Sequence, residues 1–62
     1  MIYILVIDGQ EPAKYSNVDD SMTDVFINHP NAEFSLWNDS QTEKWMDVIE
    51  DGKTIGKISE VA

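Results

Sequence analysis

His29 is the only histidine in the chain, and there is no cysteine. A structural zinc site draws its ligands mainly from those two residue types, so one histidine cannot supply it. The position of His29 before Pro30 suits a helix end instead. The serines have no histidine in any context that suggests a nucleophilic triad. Asp19-Asp20 could form a carboxylate pair, but it reads better as negative charge at the positive end of a helix. The stretch from Asp47 to Gly52 lacks the alternating oxygen ligands of a calcium loop. Gly9, Gly52 and Gly56 are isolated, so no glycine-rich loop cradles a phosphate. The sequence therefore predicts no catalytic, cofactor-binding or metal-binding residues, and a protein that is not an enzyme.

The elements that could position other functional groups follow from local pattern. Met1 to Ile7 is a short apolar run rich in β-branched residues, closed by Asp8-Gly9, and reads as a central strand. Gly9 to Tyr15 carries Pro12 and polar residues and reads as a loop. A helix start follows, with Ser16 as the cap and Asp19 at the third helical position. Val18, Met22, Val25 and Phe26 recur at i, i+4, i+7 and i+8 and form one apolar stripe. Pro30 disfavours helical geometry in the residue before it, so the helix ends near Asn28-His29. Residues 32–38 alternate, placing Phe34 and Leu36 on one face and Glu33, Ser35 and Trp37 on the other.

Residues 42–61 admit two readings. Asp51-Gly52 between two apolar runs suits a type I′ hairpin turn. The alternative starts a helix at Ser40, with Glu43 completing a capping box and Gly52 closing it. The hairpin is favoured. The predicted fold is then a single α+β domain over residues 1–62, in two layers and in the order β-α-β-β-β. Its largely antiparallel four-stranded sheet carries one helix on one face. With residues 40–51 helical, the order becomes β-α-β-α-β.

One helix leaves the second face of such a sheet open. The hairpin turn sets Glu50 opposite Lys53, Ile49 opposite Thr54 and Trp45 opposite Ile58. Trp45, Ile49 and Ile58 then share the open face, and Trp37 joins them; the register of the first strand leaves Tyr3 unassigned. Met46, Val48 and Ile55, with Phe34 and Leu36, form the bed for the helix. An apolar face holding two tryptophans suits a protein interface. The plainer reading makes Trp45 ordinary core, with the Gly9 to Tyr15 loop covering the second face. A second candidate surface is the outward side of the helix, where Asp20, Asp24 and Ile27 lie at i, i+4 and i+7.

Charge narrows the kind of partner. Twelve acids against four lysines give a net charge of −8, which repels nucleic-acid phosphates and anionic membranes. Asp47, Glu50 and Asp51 belong to an acidic stretch beside the expected tryptophan face. The initial apolar run lacks the flanks of a signal peptide and is too short to span a bilayer. Absence of cysteine fits a reducing cytosol, so a cytoplasmic location is expected. The expectation is a protein-binding module, an inhibitor or adaptor that docks on a basic surface of a partner protein. In size and charge the chain resembles small inhibitors made by phages and mobile elements, such as anti-restriction and anti-CRISPR proteins. That resemblance implies mimicry of nucleic acid in the basic groove of a nucleic-acid-handling enzyme. The alternative is a self-associating structural or accessory subunit, its open face paired with a second copy.

Overall fold

The computed structural model describes residues 1–61. The domain is α+β, with one helix and a wholly antiparallel sheet. The strands are β1 (Ile2–Ile7), β2 (Ala13–Tyr15), β3 (Glu33–Phe34), β4 (Asn38–Asp39), β5 (Lys44–Glu50) and β6 (Lys53–Val61), and α1 spans Val18–Asn28. The sheet runs β2-β1-β6-β5-β3, and β4 also pairs with β5. No described helix is long and apolar enough to cross a membrane.

The favoured hairpin forms, and the helical alternative for residues 40–51 does not. Asp51 and Gly52 take φ values of 53° and 76°, the left-handed pair that a type I′ turn requires. Glu50 faces Lys53 and Ile49 faces Thr54, as the turn dictates. Beyond that point the register shifts: Val48 faces Gly56, and Trp45 faces Ser59 rather than Ile58. The extra residue is Ile55, which packs against the core. Ile58 consequently faces Met46 and is fully buried, so its expected place on the open face is corrected.

Gly56 occupies the bulge because nothing larger fits. A Cβ there would lie 2.1 Å from the Val6 carbonyl oxygen and 2.8 Å from Ile7 Cδ1. The first of these contacts is with backbone, which cannot swing aside. Ile55 and Gly56 are therefore both turned toward the helix side, and β1 closes tightly on β6 beside them.

Alternation along β1 and β5 places Leu5, Ile7, Met46 and Val48 in the core with Ile58, Val25 and Ala32. Helix α1 packs on β1 and β2. Its buried line is Val18, Ser21, Met22 and Val25, at i, i+3, i+4 and i+7. Ser21 is completely buried, and its hydroxyl donates to the Val18 carbonyl at 2.7 Å. Phe26 lies further round, 44% exposed, with its ring edge-on to Phe34 at 5.3 Å. The helix starts one residue later than the sequence suggested. Asn17, not Ser16, is the cap: its Oδ1 accepts from the Asp20 amide at 2.8 Å, and its Nδ2 donates to Asp20 Oδ2 at 3.0 Å. At the other end the His29 amide donates to Val25, before Pro30 turns the chain away.

Two further departures lie at the sheet edges. The loop expected over Gly9 to Tyr15 contains the edge strand β2, set on β1 by Tyr3 facing Tyr15 and Leu5 facing Ala13. The strand expected over 32–38 is broken in two, because one more residue lies between Phe34 and Asn38 than between Val48 and Trp45. Ser35 manages the break by donating its amide to the Asp47 carbonyl and accepting the Asp47 amide on its Oγ at 2.9 Å. The lost phase turns Leu36 outward, 90% exposed, instead of into the helix bed.

Gly56→Ala should destabilise the domain by roughly 1–3 kcal/mol, the usual cost of forcing volume into a packed site. Denaturant unfolding of the two proteins measures it, and an unchanged midpoint would show that β1 can retreat.

Candidate functional site

The two tryptophans lie on opposite faces of the sheet. Trp45 neighbours Lys44 and Met46 in β5 and points away from the helix; its ring lies 6.0 Å from Lys57 Nζ. Trp37 instead lies on the helix side, 6.3 Å from the Tyr3 ring and 5.4 Å from Lys44 Nζ. Tyr3, Glu60 and Lys44 form one cross-strand row there: the Tyr3 hydroxyl donates to Glu60 at 3.2 Å, and Lys44 Nζ lies 3.8 Å from the same carboxylate. Trp37 thus closes the margin of the helix-side core and does not share a face with Trp45.

The helix surface is also rearranged. Asp20 is engaged by its capping partner, and Asp24 accepts the Tyr15 hydroxyl. Ile27 remains, 73% exposed. Glu50 turns back to His29, its Oε1 3.2 Å from Nδ1, while His29 Nε2 is buried without a partner. Asp51 is exposed at the tip of the turn.

The open face of the sheet is built by Ile2, Ile4 and Val6 of β1, Trp45, Asp47 and Ile49 of β5, and Lys57, Ser59 and Val61 of β6. Ile4 and Val6 on β1 and Trp45 and Ile49 on β5 are half-buried, the two pairs separated by Ser59 and Lys57 of β6, and no described element forms a second layer over them. Toward the turn end the bulge leaves a gap. With Ile55 and Gly56 facing inward, no β6 side chain fills the space between Thr54 and Lys57. The result is a depression of about 260 Å³ lined by Val6, Asp8, Asp47, Thr54, Gly56 and Lys57. Asp8 is fixed at its rim by its amide, which donates to the Ile55 carbonyl at 2.8 Å.

Of the residues singled out from sequence, Trp45, Ile49 and Asp47 meet on this face, and Trp37, Ile58, Asp20, Asp24, Ile27, Glu50 and Asp51 lie elsewhere. Val6, Asp8, Thr54 and Lys57 were missed. Gly56 held the signal, since an isolated glycine inside a strand pattern marks a bulge.

The charges divide between the two ends of the sheet. Asp8, Glu11, Glu33, Glu50 and Asp51 gather where β1 and β5 end, and Asp19, Asp20, Asp39, Glu43 and Glu60 gather at the opposite end. Among the described residues no group of three or more His, Cys, Asp or Glu side chains is arranged to hold a metal ion. No protein family, curated protein or solved structure matches the chain.

Two tyrosines hold their protons tightly. The hydrogen bond to Asp24 pushes the Tyr15 hydroxyl up to about 12, with burial and the charges of Asp24 and Asp20 adding to it. Burial raises Tyr3, with the hydrogen bond to Glu60 and its charge acting in the same direction. A proton held more tightly in the folded state contributes stability in full below the unfolded tyrosine value of about 10. That contribution is lost as pH rises through about 12. Absorbance titration near 295 nm should therefore show a late tyrosinate step that Tyr15→Phe removes. Tyr15→Phe should also flatten the loss of stability in that alkaline window; an unchanged titration would place the late proton elsewhere.

Proposed function

We propose that this domain is a protein-binding module, an inhibitor or adaptor, that docks through its open sheet face onto a partner with a basic surface. The observation that carries the reading is the open face itself, where Ile4 and Val6 of β1 and Trp45 and Ile49 of β5 flank Ser59 and Lys57 and no described element covers them. Apolar side chains on an uncovered sheet face are a common mark of an interaction site. Tryptophan is a favoured anchor at its centre. The net charge of −8, with acids gathered at both ends of the sheet, supports a basic partner, whose approach it would accelerate. The narrower version, mimicry of nucleic acid by an inhibitor from a phage or mobile element, calls for a continuous track of carboxylates. The division of acids between the two ends favours docking through the apolar face instead. The same patch favours one second reading, in which its occupant is another copy of this chain in an accessory oligomer. Neither reading assigns the domain a reaction.

Immobilised protein exposed to cell lysate at low and high salt tests the reading, with Trp45→Ala and Ile27→Ala run in parallel. A partner retained by the wild type and by Ile27→Ala, but lost by Trp45→Ala, is expected. Sedimentation of each variant shows whether it stays folded and at what size. Retention indifferent to Trp45 would exclude the open face. Recovery of the protein alone, with a dimer that Trp45→Ala dissolves, would select the self-associating reading.

A further inference from the structure

We infer that the depression at the turn end of the open face is the seat of one arginine side chain from the partner. The inference rests on the protein-binding reading above and specifies the chemistry the partner must bring.

Asp47 carries most of the argument. It projects from the middle of β5 onto the open face, flanked along its own strand by Trp45 and Ile49, and it is half-buried. Its cross-strand neighbour Lys57 is the natural counter-ion. Lys57 does not serve as one: its ammonium pairs with Glu43 at 2.8 Å and lies beside the Trp45 ring, drawn along the strand away from the turn end. Among the described residues neither Asp47 nor Asp8 has a cation within 4.0 Å. Both carboxylates therefore remain free to accept a charge-assisted hydrogen bond from an incoming cation.

The shape fits the same ligand. About 260 Å³ is below the range of roughly 300–1,000 Å³ typical of small-molecule pockets, and suits a single side chain. Val6 and Gly56 offer apolar surface to a methylene stem, while Asp8 and Asp47 offer carboxylate oxygens to its head. Arginine matches better than lysine. Its planar fork of five donors can pair with a carboxylate in two parallel hydrogen bonds and is more weakly hydrated than an ammonium. The backbone of the depression is set by the Gly56 bulge and by the Asp8 amide donating to the Ile55 carbonyl.

The probe is the blocked tripeptide acetyl-Gly-Arg-Gly-amide, titrated into isotopically labelled protein and followed through amide chemical shifts. A neutral peptide with citrulline in place of arginine is the control. Saturable shifts are expected at Val6, Asp8, Asp47, Gly56 and Lys57, with a Kd on the order of a millimolar, the scale of one charge-assisted contact. Asp47→Asn should weaken the binding about tenfold or more, equivalent to at least 1.4 kcal/mol. Citrulline peptide should not bind. A retained spectrum in Asp47→Asn confirms that its fold is intact, and Asp8→Asn provides a second variant. Shifts spread over Asp19, Asp20, Asp39 and Asp51, or unchanged by both variants, would overturn the seat. Capture of a partner by wild type and by Asp47→Asn alike would do the same while leaving the protein-binding reading standing. An empty wild-type capture fails that reading instead.

Discussion

Backbone meets backbone where β1 closes on β6, and the space between them admits a hydrogen atom but not a methyl group. Gly56 supplies that hydrogen, and a Cβ in its place would stand 2.1 Å from the Val6 oxygen. The bulge at this point accommodates Ile55 on the core side and re-phases the rest of β6. Ile58 falls into the core between Leu5 and Met46 only because of that shift. Trp45 comes to face a serine, and a gap opens behind Thr54 on the far side. One small residue thus governs both the packing of the covered face and the relief of the open one.

How much of this was legible depended on whether a local pattern stayed in phase. The Asp51-Gly52 turn was readable because left-handed backbone at both positions has few sequence solutions. Helix α1 is readable because Val18, Met22 and Val25 repeat at helical spacing, although the cap is Asn17, one residue after the expected Ser16. Strand faces were legible only as far as the first irregularity. Each bulge inserts one residue, and a shift by one exchanges the two faces of everything beyond it. That is why Ile58 and Leu36 were each assigned to the wrong side, and why Trp37 was placed with Trp45. Strand β2 was hidden for another reason: three residues after a proline carry no periodicity to detect. Of the site, Trp45, Ile49 and Asp47 could be found from β5 alone, whereas Val6 and Asp8 depend on a β1–β6 register set by the tertiary fold.

The two faces use charge differently. On the helix side, the phenol of Tyr3, the ammonium of Lys44 and the carboxylate of Glu60 satisfy one another beneath Trp37. Tyr15 and Asp24 do the same between β2 and the helix. Ionisable groups there are internally matched and act as structure. On the open face the matching is incomplete, because the Glu43–Lys57 pair removes the cation that Asp47 would otherwise hold. Surface pairs of this kind contribute little to stability, about 0–1 kcal/mol, so their arrangement is easily adapted to recognition.

Both margins of the sheet are short or interrupted. On one side β2 offers three residues with Lys14 at their centre; on the other, β3 and β4 are two-residue fragments separated by the Ser35–Trp37 break. Neither margin presents a run of unpaired amide and carbonyl groups long enough for a further strand to add to the ladder. Such short margins disfavour lengthening of the sheet into a filament by backbone pairing and the uptake of a peptide as an extra strand. Recognition at this sheet would then rest on side chains, residues that can be exchanged one at a time.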